Sequence, residues 1–153
     1  MHAHGRVQDP PQAPVNERDV LFLERQRVSL RTLVSSVLHE RGVLTGYTRM
    51  TTVVTPRFLN VHKGPSQYKT WSIRDVVASE PVYKTSDVGR REGLRTARYT
   101  MRGDEGVVVT LADGKTFLIG SRRPQELHAA IHRARSEEPL YRERTRRSTR
   151  GPR

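Results

Sequence analysis

The chain has 153 residues, 34% of them hydrophobic and 29% charged, with 28 Lys and Arg against 16 Asp and Glu for a formal net charge of +12. That length holds one domain with its own core plus tails, and the basic excess favours anionic partners without choosing among nucleic acid, acidic lipid and acidic protein. The lack of cysteine excludes disulfides, thiol catalysis and Cys-ligated zinc, and no run approaches the roughly 18 apolar residues of a membrane span.

Residues 1–16 carry Pro10, Pro11 and Pro14 with little apolar content, and are expected to be a disordered lead without the apolar core of a secretory signal. Residues 17–45 read as a helical extension. Leu30, Leu33, Val34, Val37 and Leu38 recur at three- and four-residue spacing, with Ser29 as an N-cap and Gly42 as a stop. Residues 17–27 are less regular and read as a separate short helix. The stripe lacks bulky aromatics, so it is expected to bury against the sheet or a second copy rather than in lipid.

From Gly46 the pattern changes to strands. "TRMTTVVT" is β-branched and stops at Pro56; "FLNVH" runs into the turn "KGPS"; "QYKTWSI" alternates; "DVVASEPVYK" carries Pro81, which suits an edge or a bulge. A loop, "TSDVGRREG", leads to the strand "LRTARYTMR" and the turn "GDEG". "VVVTLA" and "KTFLIGS" then flank Asp113-Gly114, which predicts a two-residue type I′ hairpin. Pro124 fits the first turn of a helix whose stripe is Leu127, Ala130, Ile131 and Ala134. The expected order is six or seven strands in antiparallel succession closed by one helix. Residues 137–153, Arg-rich and without an apolar period, are expected to be a disordered tail.

Residues 89–131, "GRREGLRTARYTMRGDEGVVVTLADGKTFLIGSRRPQELHAAI", resemble the bacterial pleckstrin-homology-like (PH-like) domain family. The matching positions are Gly89-Arg90, Val107 to Leu111, Asp113-Gly114, Leu118 to Ser121, Pro124, Leu127 and Ile131. With the upstream strands the resemblance covers residues 48–135. It implies a mainly β, α+β domain over residues 46–136: a bent antiparallel barrel or sandwich capped by a C-terminal helix. Relatives with this pattern often carry membrane-spanning helices before the domain, whereas the segment here contains Ser35, Ser36 and His39 and is flanked by Arg.

No catalytic constellation stands out. Asp104 and Glu105 fall in a turn, Glu137 and Glu138 follow the helix, and Asp75 and Glu80 flank an edge-type strand. No serine has a nucleophile-elbow context and no glycine cluster makes a phosphate loop. His128 and His132 have metal-binding spacing, yet lack a third ligand and flank the apolar stripe. Tyr68 and Trp71 read as core and rim packing. The candidate anion site gathers Arg57, Lys63, Lys69, Arg90, Arg91, Arg95, Arg98 and Arg102; the bland alternative is a solvated charged surface. The spaced basic pattern of phosphoinositide-binding turns is absent, since only Pro56 and Arg57 occupy that turn.

The expectation is a non-catalytic PH-like binding module without cofactor or metal, cytoplasmic and able to lie at the membrane periphery. Its expected partners are a protein or a second copy, or an anionic lipid surface. The alternative is a basic nucleic-acid-associated protein that neutralises phosphates through its Arg-rich patch and tail. No small-molecule substrate is inferred.

Overall fold

The structure is a computed structural model, and it describes residues 17–27, 49–64, 67–84, 97–101 and 103–149. After a short 3₁₀ turn, Glu17–Asp19, four strands form an antiparallel meander: β1 (Phe22–Arg27), β2 (Arg49–Val54), β3 (Phe58–Lys63) and β4 (Gln67–Ser72). A 3₁₀ turn at Ile73–Asp75 carries the chain to the second sheet. There β5 (Val76–Val82), β6 (Ala97–Tyr99), β7 (Gly106–Leu111) and β8 (Thr116–Gly120) lie in the order β5-β7-β8-β6. Helix α1 (Pro124–Thr149) follows at once and packs against strands of both sheets.

The architecture is therefore mixed α+β, with two four-stranded sheets and one C-terminal helix among the described residues. No strand is shared between the sheets, so they do not close into a barrel. One core joins Met50, Val54, Leu59 and Val61 of the first sheet, Val107, Val109, Phe117 and Ile119 of the second, and the expected helix stripe of Leu127, Ala130, Ile131 and Ala134. Between the sheets, Trp71 of β4 stacks on Phe117 of β8 with centroids 3.9 Å apart, and Tyr99 of β6 meets both rings edge-on. Burial holds the Tyr99 phenol above its ordinary pKa.

Four expectations need correction. Residues 22–27, placed within a helical extension, form a strand paired along its whole length with β2; the reason is tertiary, and is given below. The segment Ser29–Arg41 lies outside the described residues. Eight strands are present among the described residues where six or seven are expected, and β6 breaks the antiparallel succession by joining the far edge of β8 in parallel. Residues 137–149, expected to be disordered, continue α1 through Pro139. That extension is supported by the i,i+4 pairs Arg133–Glu137 and Arg142–Glu138, and by Arg74 reaching Glu138 from the 3₁₀ turn. Pro81 does lie in an edge strand, β5, whose pairing shifts register between Val76 and Ala78.

The hairpin lies where Asp113-Gly114 predicts it, with different turn geometry. Only Gly114 has positive φ, +82°, and no described non-glycine residue does, whereas type I′ requires it at both central positions. Gly114 N–H donates to Leu111 C=O and Leu111 N–H donates to Lys115 C=O, closing a three-residue loop over Ala112, Asp113 and Gly114. Asp113 accepts from Lys115 N–H and pairs with its ammonium, which lowers the Asp113 pKa and raises that of Lys115. At the other end of the hairpin Gly106 faces Gly120; a Cβ on Gly106 would stand 2.4 Å from the Ile119 carbonyl oxygen.

Open space surrounds the Cα of Gly114, so conformation alone sets the cost of replacing it. Gly114→Val should destabilise the domain by about 1–2 kcal/mol, and Gly114→Asn by clearly less, because Asn tolerates the left-handed region. Equilibrium denaturation of the two variants checks this; equal costs would exclude φ as the cause.

Candidate functional site

In β1, inward and outward positions alternate strictly, and the inward set is Phe22, Glu24 and Gln26. Two of those three are polar. Glu24 is only 6% exposed, and a buried carboxyl group without partners is strongly unfavourable. Its partners come from almost a hundred residues away: Ser121 Oγ donates to Oε2 at 2.6 Å and Arg122 N–H donates to Oε1 at 3.0 Å. Gln26 Nε2 donates to the Gly120 carbonyl at 2.8 Å. The connection from β8 to α1 thus receives β1 side chain by side chain.

Arg123 reinforces the junction. Its guanidinium lies 4.8 Å from the Phe22 ring centroid, donates to the Leu23 carbonyl at 2.8 Å and pairs with Glu126. Its carbonyl accepts the N–H of Leu127, and Ser121 Oγ accepts the N–H of Arg123. A carboxyl group beside the first turn of α1 also complements the positive end of the helix dipole.

With Glu24 and Gln26 turned inward, Leu23, Arg25 and Arg27 must point out of the sheet. Arg27 stands directly opposite Arg49 of β2, and Arg25 opposite Thr51. The Arg25 row continues through His62 of β3 to Tyr68 of β4. Those two rings meet edge-to-face at 5.7 Å, and Tyr68 is 40% exposed. The first-sheet strands carry five Lys and Arg and a single carboxylate, Glu24. Because that carboxylate is consumed inside, the outer face carries cations without a compensating acid among its described strand positions.

The sequence-predicted basic residues are dispersed by comparison. Arg57 sits in the β2–β3 turn with its guanidinium 5.2 Å from the Phe58 ring centroid, and Lys63 ends β3 six residues later, roughly 20 Å along an extended strand. Lys69 lies on β4 opposite Val61, diagonal to Lys63, while Arg98 is on the far edge of the second sheet beside Leu118. Arg90, Arg91, Arg95 and Arg102 lie outside the described residues. Arg25 and Arg27 were missed because residues 17–45 read as helical, which hides the parity of β1, and Arg49, in a segment read as a strand, gains its neighbours only once β1 pairs with β2.

Other candidates find ordinary places. Ser79 Oγ and His128 Nδ1 are 2.9 Å apart, tying β5 to α1. His132 is exposed, and no group of three or more metal-ligating side chains occurs among the described residues. Glu138, placed after the helix by the sequence, lies within α1 and is largely covered between Arg74 and Arg142. No described helix is long and apolar enough to cross a membrane. Comparison of the chain with protein families, curated proteins and solved structures finds no match.

Glu24→Leu should cost about 1–3 kcal/mol, since it strands the Ser121 hydroxyl and the Arg122 N–H without an acceptor. Glu24→Gln keeps an acceptor oxygen and should cost less. Chemical denaturation of both variants checks the order, and a neutral Glu24→Leu would show that the latch contributes nothing to stability.

Proposed function

We propose that the chain is a non-catalytic PH-like binding module that acts in protein assembly or at an anionic membrane surface. The observation carrying this reading is the order of elements: two antiparallel-rich sheets, then at once a C-terminal helix whose apolar stripe fills the core between them. A β-rich domain closed by such a helix is compatible with what the resemblance over residues 48–135 implies. The formal charge of +12 and the lack of an acid among the described outward strand positions of the first sheet support an anionic partner. The compartment proposed is the cytoplasm, with the module peripheral to any membrane it meets.

A second reading is sequence-independent binding to nucleic-acid phosphates. It is favoured by the continuation of α1 into the Arg-rich segment, which sets Arg142 and Arg144 on an exposed helix.

Sedimentation of the full chain with phosphatidylcholine vesicles, with and without phosphatidylserine, tests the membrane arm, and light scattering tests assembly. Retention by acidic vesicles alone, weakening with salt, or a defined oligomer is the expected result. A monomer that ignores both vesicle types overturns the proposal. If it instead binds single-stranded DNA with an affinity falling steeply between 50 and 200 mM salt, as about 6–10 neutralised phosphates would dictate, the second reading replaces it.

A further inference from the structure

We infer that Arg25, Arg27 and Arg49, on the outer face of the first sheet, form a binding site for the phosphate of an anionic lipid headgroup, with Leu23 next to Arg25 on that face and Tyr68 at the far edge of the same sheet, about 14 Å away, as interfacial contacts. The inference rests on the membrane arm of the proposed function and deepens it by naming the face and residues that meet the lipid.

Register supplies the first argument. Arg27 and Arg49 are directly opposed partners in adjacent antiparallel strands, so their Cβ atoms lie about 4.5–5.5 Å apart, and Arg25 is diagonal to Arg49 at about 7–8 Å between Cα atoms. Three long guanidinium side chains so rooted can converge on one anion with bidentate geometry. Directly opposed like charges destabilise a sheet, and a phosphate between them removes that repulsion. The arrangement carries a stability cost in the free protein that a bound anion relieves.

Composition of the face supplies the second. The one carboxylate of these strands, Glu24, faces inward and is held by Ser121 and Arg122, leaving no acid on the outward strand positions to neutralise the arginines. Leu23, 42% exposed, precedes Arg25 on the same face, and Tyr68 closes the Arg25 row at 40% exposure. An apolar residue next to the arginines and a tyrosine at the far edge of the same face match a membrane interface, where amphipathic rings and aliphatics meet the headgroup layer.

Shape favours a headgroup over a polymer. The cations occupy two rows of two adjacent strands, a compact cluster rather than a track that could follow successive phosphates. The rings of His62 and Tyr68 face each other edge-on instead of forming the run of stacking platforms that single strands use.

The test uses the full chain and phosphatidylcholine vesicles containing phosphatidylserine, with Arg27→Gln, Arg49→Gln, Arg27→Gln/Arg49→Gln and the triple variant with Arg25→Gln. Each arginine should contribute about fivefold in vesicle partitioning, and the triple variant should lose on the order of a hundredfold. The melting temperature of the double variant should equal or exceed that of the wild type, because opposed like charges are relieved. Arg142→Gln/Arg144→Gln, on the helix, should partition like the wild type. If the wild type binds but the double variant binds equally, or the helix variant loses binding instead, this site is wrong and the membrane reading survives. If the wild type ignores acidic vesicles, the membrane reading itself fails and the inference with it. If a single-stranded DNA oligonucleotide displaces the wild type from vesicles and its own binding needs the same three arginines, the phosphate donor is nucleic acid and the lipid assignment is overturned.

Discussion

A carboxyl group buried at 6% exposure must be given hydrogen bonds or it will not stay buried. Glu24 meets that demand with the Ser121 hydroxyl and the Arg122 N–H, and much of the molecule follows. These bonds, with the one from Gln26 to the Gly120 carbonyl, join the first strand to the junction where the last strand becomes the helix. They link residues almost a hundred positions apart, so the first sheet, second sheet and helix are tied together at one polar point. Beside it, Phe22 continues the apolar core under the Arg123 guanidinium.

The same bonds connect the interior to the surface through strand parity. A one-residue slip of β1 would turn Glu24 and Gln26 into solvent and bring Leu23 and Arg25 into the core. The latch therefore sets which residues face out as firmly as which face in. Arg27 meets Arg49 because Glu24 meets Ser121. That repulsive surface pair is tolerated because register is decided by the buried side, where polar satisfaction and packing outweigh exposed charge repulsion.

At the opposite edge the sheets are joined by aromatic packing. Trp71, Phe117 and Tyr99 come from three strands, two of them edge strands, and their contact explains why three residues of β6 suffice to extend the second sheet. The chain closes on α1, whose Leu127, Ala130, Ile131 and Ala134 enter the core while Ser79 and His128 join its flank to β5.

Local chemistry was enough to place β2, β3, β4, β5, the final hairpin and the start of α1, because each depends on neighbours in sequence. β-branched runs stop at Pro56, Gly114 supplies positive φ, and Pro124 opens a helix whose apolar period is complete within eleven residues. Four things were decided only by tertiary structure. β1 has no alternating hydrophobicity, since its inward residues include Glu24 and Gln26; it becomes a strand because β2 pairs with it and residues 120–122 satisfy those side chains. The partner and direction of β6 follow from ring contacts with distant strands, and the turn at Asp113 follows from a backbone pairing that the dipeptide leaves open. The cationic face is the clearest case. Arg25, Arg27 and Arg49 are ordinary arginines in the sequence, twenty-two residues apart at the nearest pair across the strands, and only the register imposed by a buried carboxyl group makes them neighbours.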